Sequence, residues 1–93
     1  MIVSFASKET EKIFKGDKSR LLPPDIIKRA LMRLDRIDAV MLIDELRFPP
    51  SHNLEKLSGN RDGQWSIRIN DQWRVCFRFE NGCAHNVEIV DYH

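Results

Sequence analysis

The sequence closes on Asp91-Tyr92-His93, a carboxylate, a phenol and an imidazole in a row, all groups that can accept or deliver a proton. Upstream lies a short apolar hairpin, Trp65-Ser66-Ile67-Arg68-Ile69 followed by Trp73-Arg74-Val75-Cys76-Phe77. Its alternation sends Trp, Ile, Val and Phe to one face and the arginines to the other. Guanidinium beside imidazole and carboxylate suggests phosphate chemistry: the guanidinium fork matches phosphoryl oxygens, and histidine titrates near neutrality. A histidine in that position is equally what a solvated, frayed terminus carries, so the elements that position these groups decide the matter.

With Asn70-Asp71-Gln72 as a three-residue loop, Ile69 faces Trp73, Ile67 faces Val75 and Trp65 faces Phe77, and every apolar side chain lands on one covered face. Arg68 then lies directly across from Arg74. A two-residue loop would mix the faces, a slip that a buried face disfavours. Like charges opposed across strands cost a few tenths to roughly 1 kcal/mol, so the pair implies either splayed, solvated side chains or a bound anion. The last strand leaves two registers open. Asn81-Gly82 as a two-residue turn pairs Phe77 with Asn86 and loses the apolar match. A longer loop or a bulge brings Val87 and Ile89 opposite Phe77 and Val75 and puts Tyr92 on the arginine face.

The remaining elements follow from capping and periodicity. Ile2 to Phe5 reads as a short strand, and Ser7 caps a helix that runs through Ile13 and Phe14 to a stop at Gly16. Pro23-Pro24-Asp25 opens a second helix, in which Ile26, Ile27, Ala30, Leu31, Leu34 and Ile37 recur at helical spacing and leave Lys28, Arg29, Arg33 and Arg36 in water. A third helical segment spans Ala39 to Leu46 and ends before Phe48-Pro49-Pro50. Turn residues at 58–63 lead into strands near 64–69, 73–79 and 85–91. The expected fold is α+β: an N-terminal strand, two to three helices, then a three-stranded antiparallel meander covered by helices on one face and open on the other.

Ninety-three residues make one domain, 1–93, with a core too small to spare many apolar groups for function. Fifteen Lys plus Arg against fourteen Asp plus Glu announce no polyanion binder by net charge. The charges are nonetheless blocked: +4 over residues 1–36, −3 over 37–46, +3 over 47–78 and −3 over 79–93. Either this is ordinary surface variation, or two basic stretches converge on a polyanion. No long apolar run and no signal-peptide pattern appear, which points to a cytoplasmic protein without a membrane segment. Cys76 and Cys83 lack CxxC spacing and read as reduced thiols; His52, His85 and His93 lack metal-ligand spacing, and neither metal nor cofactor is expected.

The segment Leu57-Ser58-Gly59-Asn60-Arg61-Asp62-Gly63-Gln64-Trp65-Ser66-Ile67-Arg68, followed by Asn70-Asp71-Gln72-Trp73-Arg74-Val75-Cys76-Phe77 and Val87-Glu88-Ile89-Val90-Asp91-Tyr92-His93, closely resembles the HigB toxins of the RelE/ParE superfamily. Length and the Leu46-Arg47-Phe48-Pro49-Pro50 segment fit as well. The resemblance implies a RelE-like, microbial-ribonuclease-like sheet with helices. It also implies a bacterial type II toxin that cuts messenger RNA during translation on the ribosome. A HigA-type helix-turn-helix antitoxin would neutralise it, and operator DNA would be bound only through that complex.

Carried over, the family's catalytic positions fall on Arg74, Asp91, Tyr92 and His93. The implied division of labour is Arg74 on the phosphate, His93 as acid or base, Tyr92 on a base or the phosphate, and Asp91 orienting His93. Arg68, from the register, and Lys56 would position the RNA backbone. Some relatives carry a histidine just ahead of the Leu-x-Gly-x-Arg segment, where this chain has Glu55-Lys56 and where His52 comes three residues too early. Either Glu55 substitutes as a base or cleavage is weaker. Arg61 and Arg78 read as surface charge, and Trp65 and Trp73 as core. The competing readings are a ParE-like gyrase poison, which shares the fold without the nuclease residues, and a catalytically weak antitoxin-binding co-regulator.

Overall fold

A computed structural model describes residues 1–92; the expected role of His93 falls outside them. Helix α1, Lys8–Phe14, begins where Ser7 Oγ accepts the Thr10 amide at 3.3 Å, one of the donors a helix start leaves unpaired. Glu9 and Glu11 in its first turn and Lys12 in its last suit the helix dipole, and Gly16 ends the turn at φ +87°. Helix α2, Pro24–Ala39, buries Ile26, Ala30, Leu34 and Ile37 as one stripe. The third helical segment expected over 39–46 is a single 3₁₀ turn, Ile43–Arg47. Val40 is already extended, and the Glu45 carboxylate accepts the Met41 and Leu42 amides at 2.8 and 2.7 Å, so only a tight turn fits before Phe48.

Four strands, β1 Glu55–Lys56, β2 Trp65–Arg68, β3 Trp73–Glu80 and β4 Cys83–Asp91, form an antiparallel sheet in that order. The meander is as expected, and β1 adds a fourth strand that two residues are too few to reveal by alternation. The β2–β3 register matches the expectation: Ile67 faces Val75, Trp65 faces Phe77 and Arg68 faces Arg74. Ile2 and Phe5 form only isolated parallel bridges, to Ala84 and Val87, in place of a regular first strand. Ser4 lies between them at an irregularity in β4, its Oγ and carbonyl oxygen accepting the amides of Asn86 and Val87.

That irregularity sets the register left open by the sequence. Asn81 and Gly82, at φ +52° and +77°, form a two-residue turn that pairs Glu80 with Cys83. Further on, Arg78 pairs with His85 but Cys76 pairs with Glu88, so Asn86 and Val87 share the place opposite Phe77. Asn86 takes the left-handed backbone, φ +54°, that this bulge requires. Beyond it Val75 faces Ile89, and the apolar match is regained.

The core joins Ile13, the α2 stripe, Val40 and Leu46 to Ile67, Ile69, Val75, Phe77, Ala84 and Val87, with Trp65 and Trp73 partly buried against it. The opposite sheet face is not open as expected, since Ser66, Arg74 and Cys76 are buried there. The Asn53 carbonyl binds Arg74 directly from the segment that leads into β1. Among the described residues no helix is long and apolar enough to cross a membrane.

Candidate active site

Arg74 is the centre of the second face. At 7% exposure its charge needs partners, and three bonds supply them: Nε donates to Ser66 Oγ at 2.8 Å, and Nη2 donates to the carbonyl oxygens of Asn53 at 2.7 Å and Ser66 at 3.4 Å. The neighbouring strand provides Ser66, and the left-handed Asn53 turns its carbonyl inward. Among the described residues Nη1 has no acceptor and is left for a ligand. The guanidinium is thus fixed in place before anything binds, the condition under which a cation stabilises a reacting phosphate without reorganisation cost.

Tyr92 covers this group, with the Arg74 guanidinium carbon 5.7 Å from the ring centroid. The contact depends on the β4 bulge, because Val90 faces Arg74 and the same alternation brings Tyr92 to that face. The Tyr92 amide donates to the Gln72 carbonyl at 2.6 Å, anchoring the backbone just past β4. Its phenol accepts from the Cys76 thiol at 4.0 Å, and burial pushes both the phenol and the thiol above their ordinary pKa values. Tyr92 is therefore a neutral phenol at physiological pH and no base.

The carboxylates divide by strand register. Glu55 pairs with Ser66 and shares the arginine face, with its Oε2 4.0 Å from Arg74 Nη2 and its side chain 49% exposed. Lys56 pairs with Trp65 and takes the other side, its Nζ 5.8 Å from the indole centroid. Asp91 faces Trp73 across β3 and β4, on the parity opposite Arg74, and its Oδ2 accepts Gln72 Nε2 at 3.0 Å. The structure therefore brings together Arg74, Tyr92 and Glu55, places Lys56 and Asp91 on the other parity, and sends Arg68 toward Asp71, to which it is ion-paired.

One residue behaves differently from expectation. Arg61, read as surface charge, binds Glu88 at 2.8 Å on the arginine face, and that hydrogen bond holds its pKa above the ordinary value. The signal was Glu88, but its face is known only once the bulge is known. His52 is fully buried: Nδ1 lies 3.1 Å from the Leu46 carbonyl and, among the described residues, Nε2 has no partner. Burial lowers its pKa, so it stays neutral, and it does not enter the site.

Two helices packed on a four-stranded antiparallel sheet form a fold shared with solved toxin structures. The fold resembles that of YoeB in the heterotetrameric YoeB–YefM toxin–antitoxin complex from Staphylococcus aureus (TM-score 0.62, 20% identity, covering 100% of this chain and 95% of that one). It also resembles YafQ from E. coli strain BL21(DE3) (TM-score 0.59, 14% identity, covering 99% and 92%).

Sequence is more specific than shape. The model of the HigB-like toxins, RelE-like toxins of type II toxin–antitoxin systems, matches residues 3–93, and the chain belongs to that family. Toxin HigB-1 of Vibrio cholerae is 39% identical over 87 residues, 92% of each chain. Endoribonuclease HigB of Proteus vulgaris is 36% identical over 93 residues, the whole of both.

Proposed function

We propose that this toxin is an endoribonuclease that cuts translated messenger RNA on the ribosome, in the cytoplasm, and is held inactive by a HigA-type antitoxin through which alone it meets operator DNA. The observation that carries the proposal is the buried Arg74 guanidinium, fixed by Ser66 and Asn53, with Nη1 left for a phosphate oxygen and Tyr92 and Glu55 beside it. The Proteus vulgaris relative, an endoribonuclease by name, supports the same reading.

In this reading a 2′-hydroxyl of the substrate loses its proton to Glu55, attacks the adjacent phosphorus, and displaces the 5′ oxygen of the next nucleotide, which takes a proton from His93. A 2′,3′-cyclic phosphate and a free 5′-hydroxyl result. Arg74 neutralises the charge that gathers on the non-bridging oxygens, a role worth roughly a hundredfold or more in rate for a single preorganised donor. Tyr92, neutral and stacked on Arg74, offers its ring to a base. In this reading Asp91 serves to orient His93. Glu55 thereby takes the part for which some relatives use a histidine.

Primer extension on transcripts from cells expressing the chain without an antitoxin tests this. Discrete cuts with wild type, lost in a folded Arg74→Lys variant, are expected. Intact transcripts with growth arrest would overturn the nuclease and favour a gyrase poison; intact transcripts with normal growth would favour a binding module.

A further inference from the structure

A second basic site lies at the end of β2, outside the arrangement around Arg74. Arg29, Met32 and Arg33 of α2 line a cleft of about 450 Å³ with Ser51, Arg68 and Ile69. The sequence pattern leaves Arg29 and Arg33 in solvent, but both reach across to the sheet. Arg29 Nη1 donates to the Ile69 carbonyl at 3.3 Å, and Arg33 Nε donates to the Arg68 carbonyl at 2.8 Å. Each bond uses one nitrogen of a guanidinium and orients the rest. The three charges are close enough that burial, then Arg29, then Arg68, lower the pKa of Arg33. Three guanidiniums gathered around one cleft repel one another, and an anion bound between them offsets that repulsion. Among the described residues the carboxylate paired with the cluster is Asp71, bound to Arg68 and 97% exposed, so it is a displaceable partner.

Arg68 links the cleft to the catalytic face through β2. Arg68 stands two residues along β2 from Ser66, the residue that anchors Arg74, which is roughly 7 Å along a strand. A polynucleotide with one phosphate on Arg74 therefore carries a neighbouring phosphate toward Arg68 and the α2 arginines. We infer that the Arg29–Arg33–Arg68 cleft is a second phosphate-binding subsite that holds the RNA strand beside the scissile bond. Ser51 also lines the cleft, and the exposed Met32 offers a ribose or base an apolar contact. The inference rests on the ribonuclease reading but concerns binding, so the two fail separately.

The test is fluorescence anisotropy of the full chain with a labelled 2′-O-methyl RNA, which has no 2′-hydroxyl to react, across a salt series. The double variant Arg29→Gln/Arg33→Gln is expected to bind about tenfold or more weakly, and to lose about 1.4 from the slope of log affinity against log salt, two phosphate contacts at about 0.7 each for a single strand. Asp71→Asn, at an exposed position that does not threaten folding, is expected to tighten binding severalfold by freeing Arg68. Unchanged affinity and slope in a double variant that melts like wild type would overturn the subsite. So would an Asp71→Asn variant that binds no more tightly, or no RNA binding by wild type. Loss of antitoxin binding with RNA binding intact would assign the cleft to the protein partner instead. Cleavage of transcripts in cells, read separately, decides the nuclease itself.

Discussion

The Arg74 guanidinium stands 5.7 Å from the centre of the Tyr92 ring, although Arg74 lies within the sheet and Tyr92 lies beyond its last strand. Strand alternation alone does not put them together. One extra residue in β4, absorbed at Asn86, turns Tyr92 onto the face that Arg74 occupies.

The value of that contact is separable from the phenol hydroxyl. Tyr92→Phe keeps the ring over Arg74 and is expected to cut RNA within about threefold of wild type. Tyr92→Ala, which loses stacking worth roughly 1–3 kcal/mol, is expected to be about tenfold to a hundredfold slower. Single-turnover cleavage rates compare them.

Glu55 is half exposed, so Glu55→Gln leaves stability nearly unchanged. As the proposed base its loss should slow cleavage by about a hundredfold or more, and a Glu55→His variant should restore part of the rate. Equal rates for wild type and Glu55→Gln would assign the base elsewhere.

His52 gives a pH dependence of stability whose sign follows from burial. The folded state holds it neutral with a lowered pKa, whereas in the unfolded chain it takes up a proton near pH 6.5. The unfolded state then binds more protons below that pH. The contribution of His52 is complete above about pH 6.5 and is lost as pH falls toward its folded value. Urea midpoints measured between pH 5 and 8 should rise with pH, and the rise should shrink in a His52→Gln variant that still folds.

Phe77 is fully buried, where the β2–β3 register and the bulge meet. Phe77→Ala is expected to cost about 3–5 kcal/mol. For a 93-residue domain that is a large part of the total, so the variant should melt far below wild type in a calorimetric scan.

Much of this molecule is local and therefore legible in its residues. Ser7, Gly16 and Pro24 mark helix ends by the conformations and bonds that those side chains permit. The alternation from Trp65 to Phe77 admits one register with a clean apolar face, so the opposition of Arg68 and Arg74 follows without coordinates. The family, too, is carried by residues in order along the chain. Other features depend on groups far apart in sequence meeting in space. Two residues of β1 carry no periodic signal, yet their pairing with β2 sends Glu55 to the site and Lys56 away from it. Arg29 and Arg33 look solvated on a helix, and become part of a cleft only when they meet the end of β2. The parity of Tyr92 is set where Ser4, eighty-two residues from Asn86, accepts the amide of the bulge. Short-range sterics and hydrogen bonds determine elements and faces; which faces meet is a property of the packed chain, because a bulge or a crossing is chosen by the whole core it must close over.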